Sequence, residues 1–485
     1  MRHVARNAAW NVAGSLVSVA VGLMALPVLL HALGAARLGV FTLALGLIGF
    51  SGLLDLGLGR ALTQGVSSAL GRGRTQAAVA ALVWHVLRLL AGFGVLWSLV
   101  LWWVVPLAVR FLFDLQGTLA VETILGLRAV ALSMPFALVA TGAMGALEGL
   151  QAFRRVSIQR AVLSVVQLGL PALVALWHPD VGWVIAALAA SRVLSMMVWL
   201  RGLRRALPAM QGQCYERTDL QQLLRFGGWL SVSNLIGPLM VYGDRFYLAS
   251  LFPPAALAYY TVPYDSLTRL ANLPVTAMGA VFPALAEAQA DPARTGPLLR
   301  NSILALVALL LPPLLLASIF ALPLLAFWLG PAFAQQAQRI VQWLALGIFL
   351  NSCAHVPYAL LQAHGRSDLT AKLHVLELPI FAGILVWAVV TWGITGAALA
   401  WTLRVVLDTA MLYAAALWLV PALRTALRDG VMLVLLAAVV LCAPLMTHAP
   451  RVLAPVALGA CGVCGYLALR LLLQWRVTQT SGFQS

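Results

Sequence analysis

This sequence predicts an all-α polytopic membrane protein of about fourteen transmembrane helices, arranged as two six-helix lobes around a central cavity plus two extra C-terminal helices. Three observations carry that expectation. The 485 residues are 62% hydrophobic and only 9% charged, whereas a soluble domain carries roughly 25% charged residues. Apolar stretches recur from end to end, each long enough to cross a hydrocarbon core about 30 Å thick. The basic residues between them alternate in density from one connection to the next, as the positive-inside rule requires of a chain threading a bilayer.

The expected spans run 10–33, 38–61, 79–106, 126–148, 158–178, 180–200, 223–250, 255–285, 298–328, 338–362, 369–392, 393–419, 428–447 and 450–473. The first follows a basic start, MRHVARNAAWNV, yet its apolar run exceeds the roughly 7–15 residues of a signal-peptide core, so it reads as a retained span. With the N-terminus inside, the cytoplasmic side collects 21 basic residues, from Arg2 and Arg6 to Arg470 and Arg476. The outer side has five, Arg37, Arg110, Arg128, Arg339 and Arg451, and five more stay within spans. Both termini are therefore expected in the cytoplasm.

The longest connection, 201–222, falls halfway along the chain and reads as a cytoplasmic linker. It separates an N-lobe, 1–200, from a C-lobe, 223–420, with two further spans and a tail in 421–485. A faint repeat supports the division. A shift of 219 positions sets Trp10 on Trp229, Ala36 on Ala255, Phe41 on Tyr260 and Thr42 on Thr261, equating GAARLGVFT with FPPAALAYYT. Paired bundles about a midplane site are a recurrent transporter plan.

Several chemistries find no support. No phosphate-binding G-x-x-x-x-G-K-[ST], H-E-x-x-H or G-x-S-x-G pattern occurs, and the one lysine, Lys372, lies in SDLTAKLH. An enzyme is the weaker class, and no cofactor or metal is expected. The five cysteines do not suggest a disulfide framework, and Cys461 and Cys464 read as two small apolar residues on a helix. The net charge of +16 fits anionic lipid and a basic cytoplasmic face, not nucleic acid.

Ionisable residues inside spans cost about 2.5–3.5 kcal/mol on insertion scales and mark functional positions. Arg404 and Asp408 lie one turn apart in GAALAWTLRVVLDTAMLY, and Asp265 and Arg269 repeat the spacing in TVPYDSLTRL. Each pair either neutralises itself and fixes packing or lends its arginine to an external anion. Arg88 and Arg192 have no acidic neighbour within a turn. They read as cavity-lining cations, because the planar guanidinium suits phosphate and carboxylate. Asp265, Glu377 and Asp408 are the candidate cavity carboxylates for H+ or Na+ coupling, Glu377 with His374 three residues before it. Asp244 and Arg245, and likewise Asp55 and Arg60, sit near span ends as gate or interface candidates. Pro27, Pro135, Pro171, Pro238, Pro263, Pro274, Pro357 and Pro379 permit bends within spans.

These segments carry a family resemblance. FSGLLDLGLGRALTQ is similar to the L-x-D-x-G-L segment of bacterial polysaccharide flippases, the Wzx-like branch of the multidrug/oligosaccharidyl-lipid/polysaccharide exporter superfamily. FGGWLSVSNLIGPLMVYGDRFYLASLFPPAALAYYTVPYDSL resembles the family's seventh and eighth spans, and VFPALAEA, LLQAHGRSDLTAKLHVLELP and GITGAALAWTLR extend the likeness to about residue 420. The resemblance implies a V-shaped flippase of the bacterial inner membrane that works by alternating access. Its cargo would be an undecaprenyl-pyrophosphate-linked glycan for surface polysaccharide such as O-antigen or exopolysaccharide. Membrane lipids and the polymerase and chain-length machinery are the implied partners. Arg88, Arg192, Arg269 and Arg404 are placed in its cationic cavity from span depth. The last two spans depart from the twelve of many members. The alternatives are a multidrug or metabolite cation antiporter of the same superfamily and a non-transporting partner in a polysaccharide assembly complex.

Overall fold

The computed structural model describes residues 2–49, 54, 55, 57–207, 240, 242–288 and 291–446, with 455, 459, 460 and 462–465. Most of the 201–222 linker, the first part of the 223–250 span and nearly all of the 450–473 span lie outside the described residues.

Every regular element described is helical: α1 Arg2–Gly49, α2 Leu58–Gly71, α3 Gln76–Leu107, α4 Gly117–Gly149, α5 Phe153–Trp177, α6 Val181–Ala206, α7 Pro254–Glu287, α8 Pro292–Ile319, α9 Ala321–Leu329, α10 Pro331–Ala363, α11 Ser367–Trp392, α12 Ile394–Leu419 and α13 Arg424–Met446. A hydrocarbon solvent leaves no partner for a bare amide, so each span must close its own backbone hydrogen bonds. Ten of the described helices are long and apolar enough to cross a membrane. Their outward surfaces are apolar too: Trp103 is 72% exposed and Val390 78%, an exterior suited to acyl chains and not to water.

The boundaries follow local chemistry. The break expected between the first two spans falls at Gly34, whose φ of 75° and ψ of 168° are not helical, so that α1 is two helices meeting at a kink. Thr75 caps α3 by accepting from the Ala78 amide, Asp180 caps α6 at Gly182 and Trp183, and Asp291 caps α8 at Ala293. Pro27, Pro135, Pro171, Pro357 and Pro379 all sit inside continuous helices. The 298–328 span is divided at Phe320 into α8 and α9.

The chain forms two compact units, Met1–Thr261 and Val262–Ser485. In the first, α4 is the spine, packed on α2, α3 and α6, while α5 packs on α1 and α6. Small residues allow the close approach. A Cβ at Gly94 of α3 would meet the Pro135 backbone, and one at Gly145 of α4 would meet the Gly59 carbonyl oxygen. The start of α7 belongs to this unit because it docks on α1: Gly39 lies against the Pro254 carbonyl, and the Thr261 hydroxyl donates to the Thr42 hydroxyl at 2.9 Å. Those threonines are the pair equated by the 219-residue shift.

In the second unit α10 is the spine, packed on α8, α9, α12 and α13, and α11 packs on α12. The Thr402 hydroxyl of α12 donates to the Trp343 carbonyl of α10 at 2.8 Å, and Gly347 leaves room for the Trp401 ring and Thr402. Tyr264 meets Trp401 edge-on at 5.3 Å. Gly393, at φ 59°, turns the chain between α11 and α12, so the two helices run back along each other and bring their ionisable residues together.

Candidate ion and anion site

On α11, His374 and Glu377 are three residues apart and share a face; on α12, Arg404 and Asp408 are four apart and share another. The pairing runs between the helices. Arg404 Nε is 3.7 Å from Glu377 Oε1, and His374 Nε2 is 3.7 Å from Asp408 Oδ1. Arg404 and Asp408 form no ion pair with each other, so the self-neutralised pair open to the sequence is replaced by a four-residue cluster. The reason is that α12 turns this face toward α11, where Glu377 and His374 already stand.

Glu377, Asp408 and Arg404 are largely enclosed while His374 is half-buried, and the cluster is loosely satisfied. Glu377 is 0% exposed, yet neither of its oxygens accepts a hydrogen bond, and Asp408 Oδ1 and Arg404 Nε are also without hydrogen-bond partners. Charge-assisted bonds measure about 2.7–2.9 Å, so 3.7 Å is attraction without a bond. Leaving a buried polar group unbonded costs about 1–3 kcal/mol, and more when it is charged. The Arg404 guanidinium lies 5.6 Å from the Phe381 ring centroid and 5.9 Å from that of Trp401, two faces that hold a cation. His374 stacks on Tyr358 at 6.4 Å and 18°. His355 of α10 donates from Nδ1 to the Asn351 carbonyl at 2.8 Å and lies within electrostatic reach of Asp408.

The remaining candidates fall elsewhere. Asp265 and Arg269 stand one turn apart on α7, both half-buried and interacting electrostatically. Arg192 of α6 is half-buried, with its Nε enclosed and without a hydrogen-bond partner, and it faces Tyr242. Arg88 is exposed on α3. Arg245 is 1% exposed, lies 5.2 Å from the Tyr242 ring centroid, and is packed beneath Gly46. Its neighbour Asp244 accepts from the Tyr260 hydroxyl and from the Arg245 amide. This pair is thus a buried bracket between the 242–251 helical stretch, α1 and the start of α7. Asp55 accepts from the amides of Gly57 and Gly59 and caps the turn into α2, with Gly57 at φ 70°; Arg60 is exposed.

Outside the cluster, sequence reasoning missed several ion pairs, Arg160–Glu148 and Arg366–Asp368 among them, and the one with the most enclosed carboxylate joins Arg37 to Glu122. Arg37 grips Glu122 with two bonds, at 2.7 and 2.6 Å, and Glu122 also accepts from the Val181 amide at 3.3 Å. The sequence reading places Arg37 in an outer loop and gives Glu122 no role. An acidic residue at the head of an apolar span, across from an outer-side arginine, was the available signal.

Long helices with small-residue contacts, an apolar exterior and enclosed charges define the class: a polytopic membrane protein with the fold of multidrug and lipid exporters. The chain superposes on an inward-facing multidrug resistance MATE family transporter of the MOP superfamily with a TM-score of 0.69 at 15% identity, over 85% of this chain and 99% of that one. It matches the lipid II flippase MurJ, in an inward closed conformation, with a TM-score of 0.70 at 11% identity, over 96% and 99%. At that level of identity the likeness is one of fold. Residues 4–289 match the family described as polysaccharide biosynthesis proteins, and the chain belongs to that family. A Shigella flexneri protein named "Putative O-antigen transporter" is 27% identical over 409 residues, 84% of this chain and 96% of its own length.

Proposed function

We propose that this protein translocates a polyprenyl-pyrophosphate-linked oligosaccharide across the bacterial inner membrane for surface polysaccharide synthesis. It works by alternating access, with both termini in the cytoplasm. The observation that carries the reading is that Arg192 and Arg404, one in each unit, hold a buried Nε with no hydrogen-bond acceptor. A cation kept at membrane depth with an unused donor suits an anionic passenger, since pyrophosphate supplies the oxygens that the protein leaves out. Family membership and the Shigella flexneri relative support a glycan as cargo and make an enzyme the weaker class.

Glu377 and Asp408, set against Arg404, are the groups through which a proton or sodium gradient would be coupled; Asp265 beside Arg269 offers the same chemistry in α7. Binding of an anionic headgroup to Arg404 would free Glu377, and charging of Glu377 would draw Arg404 back. Undecaprenyl-pyrophosphate-linked glycan, surrounding lipid and the polymerase and chain-length machinery are the partners.

The test is reconstitution. Purified protein in liposomes should move a labelled lipid-linked oligosaccharide between leaflets, and Arg192→Gln with Arg404→Gln should abolish the movement. Surface polysaccharide in a strain relying on the variant should fall in step. Undiminished export by the well-expressed double variant would remove the anion argument, and drug resistance conferred in its place would favour a cation antiporter.

A further inference from the structure

We propose that His374, Glu377 and Asp408 form a binding site for a divalent transition-metal cation of the zinc class, bridging α11 and α12. One ligand atom from each residue lies within 4.8 Å of the others, and His374 Nε2 and Asp408 Oδ1 are already 3.7 Å apart. A tetrahedral ion with bonds of about 2.0–2.2 Å sets its ligand atoms about 3.4 Å apart. Side-chain torsions can therefore close the site without moving either helix.

The second observation is the unused capacity of the carboxylates. Glu377 is fully buried with both oxygens unbonded, and Asp408 Oδ1 beside it is unbonded as well. Buried polar atoms are hydrogen-bonded in the great majority of proteins, and exceptions call for a missing partner. The nearest cation, Arg404, does not fill that role, because its Nε stands 3.7 Å away and makes no hydrogen bond. It is also able to give way, since the Phe381 and Trp401 rings hold its guanidinium whether or not Glu377 does.

The donor set selects the metal. Magnesium and calcium ask for six or more oxygens, whereas one imidazole with two carboxylates suits zinc and its neighbours. His374 and Glu377 stand three apart on one helix face, the spacing of the Glu-x-x-His motif of metal-binding bundles in the opposite chain order. Two carboxylates also cancel the charge of a divalent ion, which a low-dielectric site requires. Stacking on Tyr358 fixes the His374 ring, as outer-shell groups do for metal-bound histidines. His355 is a candidate fourth donor: its Nδ1 proton is committed to the Asn351 carbonyl, which leaves Nε2 as the lone-pair nitrogen. Lys372 lies on α11 too, but it pairs with Asp368.

The site adjoins Arg404, which the proposed function gives to the cargo, so its test reads metal binding directly and does not pass through transport. Full-length protein in nanodiscs, with any affinity tag removed, should take up one Co2+ per chain with the visible absorption of a four-coordinate site, and Zn2+ should displace it. His374→Gln and Glu377→Gln should each weaken binding about 10–100-fold, as loss of metal-site groups does. His374→Cys, a soft ligand in the same place, should retain it, and Arg404→Gln should tighten it several-fold. No stoichiometric cobalt on the wild type, or uptake unchanged in both the Gln variants, would overturn the site. Should a Gln variant fail to fold, the opposite shift expected of Arg404→Gln decides the matter. A protein that binds cobalt as described but moves no lipid-linked sugar would uphold the site and sink the proposed function.

Discussion

Two charge clusters, one in each compact unit, show how differently a membrane protein can hold an arginine against a carboxylate. Arg37 and Glu122 meet through two short bonds, and Glu122 spends its remaining capacity on the Val181 amide. Both carboxylate oxygens are used, and the pair ties α1 to α4 and α6. Arg404 and Glu377 stand at 3.7 Å with no hydrogen bond between them, beside His374 and Asp408 held just as loosely. A satisfied pair is a fastener; a buried set with spare donors and acceptors is a place where something else binds or titrates. The cost of leaving it so is borne only where function returns it.

The sharpest way to break the comparison is to remove the carboxylate from each cluster. Glu377→Gln should lower export about fiftyfold, toward the upper end of ordinary coupling energies of about 1–3 kcal/mol, with little change in thermal midpoint. A fall in stability with export per folded molecule preserved would reverse the two roles. Arg37→Ala should do the opposite. Stripping Glu122 of its partner should cost about 2 kcal/mol, discounted because Arg37 is partly exposed, and detergent-phase melting should show it. The Arg37→Leu, Glu122→Leu double variant should regain part of that loss; a double variant no better than the single would mean that the pair itself matters little.

Smaller effects test the fasteners around the repeat. Gly39→Val should push α1 off the Pro254 carbonyl at a cost of about 1–3 kcal/mol, read as a lower melting point. Unchanged melting would show that α7 docks on α1 by other means. Asp55→Ala removes the cap at the start of α2 and should cost about 1 kcal/mol. Had Asp55 been a gate, export per folded molecule would fall while stability held.

Much was legible before any coordinates. Helices α3 to α6 and α10 to α13 begin or end within a few residues of the spans read from hydropathy, because a bilayer admits little besides a continuous helix. Gly34 broke the first long run where the pattern broke. What could not be read was pairing. Arg404 and Asp408 share a face at helical spacing and read as a pair or as a cavity lining, and Asp55 with Arg60 as a gate or an interface. Spacing reports which residues share a face and is silent on what that face meets.

The sequence alone determined the membrane, the spans, the family resemblance and the identity of the charges that have no business in lipid. Those follow from hydropathy and helical period, which are properties of local chain. Only the tertiary structure decided that Glu377 answers Arg404, that His374 answers Asp408, and that Arg37 is locked to Glu122. Such partners come from different helices, and which of them meet depends on how whole helices rotate and pack, a matter of the entire bundle and not of any one segment.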